Sequence, residues 1–254
     1  MRGIIFARRV GKELLRDPLS YIFCLATPAA MLLLFFIIYQ NMPPEAQAGM
    51  AVFRQDSLSV GISYFGYSFV MLLAALIVSR DRTTAFLTRL RATPMTSVDF
   101  LVGYFLPLLV LGLGQTVLTF CFSAILGGIS DTPLSLLSLV RSVPALLPSL
   151  VFFIACGLLF GSLLSVNAAP GVTSVLITLS GVMGGVWMPL EEMPSLARIF
   201  SFFPFLHGVR LARYAYQGSA EEIGLPLVVT IGFAAVVSVL AVFAVHRAGK
   251  QEAA

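Results

Sequence analysis

Six long apolar runs divide the chain, at about Tyr21–Tyr39, Val60–Ser79, Leu101–Leu126, Val143–Val166, Ala169–Met188 and Leu225–His246. Every Asp, Glu, Lys and Arg falls outside these runs or at their edges. As a helix, the first run would reach about 28 Å, close to the thickness of one hydrocarbon core. The pattern predicts an all-α integral membrane protein with six transmembrane helices in a single domain over 1–254. A cleavable signal peptide is the competing reading of the first run. The long polar segment before it, Pro28 within it and the lack of a small-residue cleavage site after it favour a retained helix.

Three segments between the runs have patterns of their own. Residues 1–19 place Ile5, Phe6, Val10, Leu14 and Leu15 on one helical face, with Arg8, Arg9, Lys12 and Arg16 elsewhere. This predicts an amphipathic helix lying in the membrane interface, ended by Asp17-Pro18. It reads either as an orientation anchor or as a lever that touches a partner. Residues 80–95 set Phe86, Leu87 and Leu90 at helical spacing among Arg82, Arg89 and Arg91, and Thr93-Pro94 should end that helix. It reads either as a solvated basic loop or as a short helix that docks in a groove of a soluble partner. Residues 184–218 are strongly apolar yet carry Pro189, Pro194 and Pro204, too many breaks for one straight helix. Short helices over 189–216 that dip back toward the membrane and pack on protein are expected. Trp187, Tyr214 and Tyr216 suit an interfacial aromatic belt.

Composition agrees: 58% of residues are hydrophobic and 11% charged, against about a quarter charged in soluble domains. Of the 16 Lys and Arg residues, 11 lie in segments that are cytoplasmic if the N-terminus is inside, which places both termini in the cytoplasm. The three arginines of 189–224 are the exception. The basic residues read as membrane-surface anchors, not as a nucleic-acid footprint. Cys24, Cys121 and Cys156 all lie in apolar runs and suggest packing, not a disulfide framework. His207 and His246 lack metal-ligand spacing, and no Ser/His or paired-carboxylate arrangement falls within a span. The chain also has no Gly-x-x-x-x-Gly-Lys-[Ser/Thr] phosphate loop, so it is not expected to be an enzyme that hydrolyses ATP itself.

Leu90, Ala92, Thr93 and Pro94, followed by Gly185, Pro189, Glu191, Pro194, Pro204 and Gly218, resemble the membrane subunits of the type-2 ABC export permeases. Those subunits pair an interfacial N-terminal helix and six spans with an arginine-rich cytoplasmic helix ending in Thr-Pro. They also carry a Gly…Pro-x-Glu-x-x-Pro pattern after the fifth span. This chain departs from them in having Thr84-Ala85 where Gly-Thr is frequent, and in lacking an acidic residue near Thr88, where Asp81 would take the place of a glutamate. The resemblance implies an exporter in which two permease subunits, a homodimer rather than a heterodimer, each dock an ATPase subunit that binds ATP and Mg. It implies location in the inner membrane. ATPase coupling would fall to Arg82, Phe86, Leu87, Arg89, Leu90, Arg91, Thr93 and Pro94, and an extracellular gate to Pro189, Glu191, Pro194 and Pro204.

Two further stripes are read from the residues alone. Ser174, Thr178, Gly181 and Gly185 form a small-residue face that suits either a dimer interface or close packing within the chain, and Gly157 with Gly161 forms a second such pair. Tyr64, Tyr67, Ser68 and Met71, with Ser63, share a polar and aromatic face that suits either a substrate pathway or packing with satisfied hydroxyls. Gln115 and Asn167 are the only amides within or at the end of a span. The rival function is a secondary transporter or channel without an ATPase. Ion-coupled carriers usually place ionisable residues at mid-membrane, and the six runs contain none there.

Overall fold

A computed structural model describes residues 2–83, 97–130 and 132–251, and all regular structure among them is helical. Among the described residues, five helical stretches are long and apolar enough to cross a membrane: Ile22–Gln40, Gln55–Thr83, Asp99–Ile129, Leu136–Leu163 and Gly224–Val245.

Helix α1 (Arg2–Leu14) packs along α4 (Ser97–Ile129). Its buried side is Phe6, Ala7, Val10 and Leu14, while Ile4, Ile5 and Leu15 face outward. The expected apolar face therefore divides. Phe6, Val10 and Leu14 pack on protein, and Ile5 and Leu15 are left exposed.

The first span begins with a π-helical turn, Ile22–Ala26, and continues as α2 (Thr27–Gln40). Pro28 has no N–H to donate, and the wider turn falls where that ladder is interrupted. The Thr27 hydroxyl donates to the Ile22 carbonyl at 3.0 Å. A one-turn helix at Pro44–Gly49 then leads to α3 (Gln55–Thr83).

Helix α3 is the axis of the bundle. It packs against α2, α4, α5 (Leu136–Leu163), α6 (Ala169–Met183) and α8 (Pro204–Gln217), and its side chains are buried almost throughout. Its closest partner is α5. Gly157 and Gly161 lie directly against the Met71 and Ala75 carbonyls, leaving no room for a Cβ. This second small-residue pair packs within the chain.

Helix α6 has 15 residues, about 22 Å, and is shorter than a usual crossing. After it come a tight turn, a 3-10 turn at Leu190–Glu192, and α7 (Pro194–Phe200). Pro194 and Pro204 each sit in the first turn of their helices, where a missing N–H costs nothing. The expected short, proline-started helices are thus present. Helix α8 is buried on one side against α5, α3 and α9 (Gly224–Gln251). It ends at Gly218 (φ +81°), whose N–H returns to the Tyr214 carbonyl. That left-handed cap is why glycine stands there. Helix α9 buries Ala234, Ala241 and Ala244 against α5 and α8 and leaves Leu225, Val228, Val236 and Phe243 exposed. Such a face is suited to lipid.

Candidate functional site

The segment 84–96 is framed by the end of α3 and the start of α4, and α1 fastens both together. Asp81 is the centre of this clasp. The Tyr104 hydroxyl donates to Asp81 Oδ2 at 2.7 Å, and Arg9 Nη1 lies 3.8 Å from the same oxygen. Arg9 also donates to Glu13 one turn along α1 at 2.6 Å. The packing beneath is aromatic. Phe6 meets Tyr104 edge-on at 4.9 Å and Phe100 at 5.7 Å, and its ring fills the space that a Cβ on Gly103 would need. Three elements distant in sequence thus meet at one carboxylate, and two of them, α1 and α4, also share an aromatic cluster.

Arg82 is the one predicted coupling residue that the structure describes. Its Nη1 donates to the Gly161 carbonyl at 3.2 Å and to the Leu164 carbonyl at 3.3 Å. A guanidinium there satisfies carbonyls at the open C-terminal end of α5 and opposes its dipole. Phe86, Leu87, Arg89, Leu90, Arg91, Thr93 and Pro94 lie outside the described residues.

Tyr64, Tyr67, Ser68 and Met71 are fully buried within the chain. Tyr64 is edge-on to Phe153 at 5.4 Å and lies against Gly208. The Tyr67 hydroxyl is 2.6 Å from that of Thr116, and Ser68 donates to the Phe65 carbonyl at 2.6 Å. Met71 is covered by Gly157. In this conformation they form packed interior, with the Tyr67 and Ser68 hydroxyls hydrogen-bonded. They do not line an open passage.

Tyr67 also belongs to a longer polar seam between α3 and α4 that sequence reasoning largely missed. Ser59 and Ser123 share a hydroxyl contact, and Gln55 Nε2 donates to the Ser123 carbonyl. Gln115 Nε2 reaches the Ser63 carbonyl at 3.5 Å and Thr119 at 3.4 Å, and its Oε1 has no partner among the described residues. The signal was the spacing of Gly112, Thr116, Thr119, Ser123 and Ser130, which keeps small and hydroxyl-bearing groups on one face of α4.

At the opposite end of the bundle, the turn after α6 is held from below. Gly185 has φ +65°, a conformation that favours glycine, and Leu190 packs over it. Arg213 Nη2 donates to the Gly185 carbonyl at 3.0 Å and to that of Val186 at 3.4 Å. Burial lowers its pKa to about 10, with Glu191 and Asp56 acting in the opposite direction. It therefore stays charged at neutral pH. A cavity of about 70 Å³ beside it is lined by Arg54, Asp56, Glu191 and Gln217. Trp187 is only partly exposed. It covers Gly181 and lies against Phe65 at 4.8 Å and Phe35 at 6.0 Å, so it packs inside the bundle more than it joins an interfacial belt. His207 is buried and its Nε2 meets the Ser201 carbonyl at 2.9 Å, tying α8 to the end of α7. Of the predicted gate residues, Glu191 and Pro194 are exposed, Pro189 is half-buried and Pro204 is buried.

The predicted dimer stripe divides. Ser174 and Thr178 are exposed beside Val175 and Leu179, whereas Gly181 and Gly185 are buried under Trp187 and Leu190. Close intrachain packing explains the two glycines, and only the first half of the stripe is free to meet another subunit.

The family model described as "ABC-2 family transporter protein" matches residues 37–243. A protein of Bacillus subtilis (strain 168) named "Putative transport permease YvfS" is 28% identical over 197 residues, covering 77% of this chain and 78% of the relative.

Proposed function

Because the chain belongs to the ABC-2 family of transporter proteins, we propose that it is the membrane permease subunit of an exporter driven by ATP hydrolysed on a separate ATPase subunit. On this reading the segment 84–96 faces the cytoplasm with α1, both termini are cytoplasmic, and the membrane is the inner one. Five spans are α2 with its π-helical turn, α3, α4, α5 and α9. Helix α6 is the sixth. It is short, and its crossing is completed by the turn at 184–187, whose irregular backbone is tolerated because Arg213 and the surrounding side chains bury and satisfy it.

The observation that carries the reading is the Asp81 clasp. A basic segment that could dock on an ATPase is bounded by two helices locked to each other and to α1 through Asp81, Arg9, Tyr104 and Phe6. Displacement of 84–96 would therefore move the end of α3, the start of α4 and α1 together. Arg82 would carry the same displacement to α5. Helix α3 is the axis of the bundle, so its tilt would reach the Gly185–Arg213 turn, the candidate for an outer gate with Pro189, Glu191, Pro194 and Pro204. Opening the polar seam of α3 and α4 at Tyr67, together with the α3 packing of Tyr64, Ser68 and Met71, would expose a hydroxyl-bearing surface to cargo. A second copy of the chain would pair through the exposed part of α6.

This division of labour is tested by nucleotide hydrolysis. The chain purified alone is expected to hydrolyse no ATP, with ATP and Mg bound only by the partner, and a complex with its ATPase is expected to be active. Hydrolysis by the isolated chain at the rate of the complex would refute the proposal.

A further inference from the structure

Helix α1 leaves an open groove on the side that faces away from the Asp81 clasp. Its walls are Ile4 and Gly11 from α1, Leu15 just past its end, and Leu106, Pro107 and Val110 from α4, bounding about 480 Å³ of almost wholly apolar space. That is within the range of small-molecule sites. Gly11 keeps the groove open, because it places no side chain between α1 and Pro107. Ile4, Leu15 and Val110 are more than 60% exposed, so the described residues do not fill the space.

One rim of the groove is cationic. Arg8 lines it and also lines an adjoining surface basin with Arg9, Lys12 and Arg16. Arg9 is engaged by Glu13 and Asp81, whereas Arg8, Lys12 and Arg16 are exposed and form no ion pair among the described residues. An apolar slot rimmed by Arg8, which joins it to a basin holding two further uncommitted cations, on a helix lying along a span, has the two-part chemistry of an anionic phospholipid. The acyl chain would take the slot and the phosphate the cations. A neutral lipid would leave the cations unused, and a soluble anion would leave the slot empty.

We propose that this groove is a specific site for one anionic phospholipid of the leaflet in which α1 lies, with Arg8 as the residue joining headgroup and chain subsites. The lipid wedges α1 against α4 and so supports the clasp from the bilayer side. The proposal needs only the membrane location of the chain and stands apart from any ATPase partner.

Native mass spectrometry of the detergent-purified full chain, titrated with phosphatidylglycerol or phosphatidylcholine, tests it. The wild type should retain one phosphatidylglycerol per chain in preference to phosphatidylcholine. Arg8→Gln should weaken that retention roughly fivefold, the value of one cation near an anionic surface, without changing phosphatidylcholine. Val110→Trp should fill the slot and abolish preferential retention, with Leu106→Trp as a second slot-filling variant. Val236→Trp, on an exposed face of α9, should leave retention unchanged. The proposal fails if the wild type shows no preference between the two lipids, or if Arg8→Gln has no effect. It also fails if the slot-filling variants behave like Val236→Trp, since adsorption on the basic face would then suffice. If Val110→Trp instead removes a dimer peak while lipid retention persists, the groove is a contact between copies and the lipid site is refuted.

Discussion

At the residue scale, the clasp concentrates on Asp81, which accepts from Tyr104 and faces Arg9 while largely shielded from solvent. Hydrogen bonds to a charged group contribute about 1.5–3 kcal/mol. Asp81→Asn is therefore expected to lower thermal stability in detergent by an amount in that range. A cycle with Arg9→Gln should show coupling of about 0.5 kcal/mol or more, and strict additivity would mean that the two do not interact. At the opposite end, Gly181→Leu cannot be accommodated without moving the Trp187 ring. Trp187 is the one tryptophan in the sequence, so its emission should shift to the red, and an unchanged spectrum would contradict the packing. Arg213→Leu removes the donor to the Gly185 and Val186 carbonyls and should destabilise the outer turn by about 1–3 kcal/mol in denaturant or thermal unfolding. Little of this was legible beforehand. Arg213 counted in the sequence only as an exception to the positive-inside pattern, because whether an arginine faces water or buried carbonyls depends on contacts made across 28 residues.

At the element scale, much more was legible. The apolar runs placed the long helices, and Pro189, Pro194 and Pro204 marked the breaks that separate α6, α7 and α8, since proline sets helix starts by local chemistry alone. The amphipathic stretch at the N-terminus did form a helix. Its burial, however, was set by α4, which takes Phe6, Val10 and Leu14 and leaves Ile5 and Leu15 outside. A hydrophobic pattern records which positions avoid water. It does not distinguish protein from lipid as the alternative, and the same ambiguity surrounded Tyr64, Tyr67, Ser68 and Met71. The α1–α4 contact has its own test. Gly103→Leu drives a side chain into the Phe6 ring and should release α1, making Arg8 and Arg9 cleavable by trypsin in the purified protein. Cleavage no faster than in wild type would show that α1 is held by other contacts.

At the scale of the whole molecule, the bundle has two differently built ends. One carries α1, the clasp and the basic segment. The other carries the proline-started helices and the buried arginine. Helix α3 runs between them as a common core, so a displacement at one end has a packed route to the other. Pairing of two chains is expected along the exposed part of α6. A cysteine at Thr178, in a background lacking the exposed Cys121, should cross-link two copies under mild oxidation, whereas one at Val236 should not. The central claim is that this chain works with a separate ATPase, held through 84–96. The most direct test is to isolate the tagged protein from native membranes in mild detergent, as wild type and as Leu90→Asp. The account predicts an ATPase subunit recovered with the wild type and lost with the variant, at equal yields of both permeases. Recovery of no ATPase with the wild type would contradict it and favour a transporter that works without one.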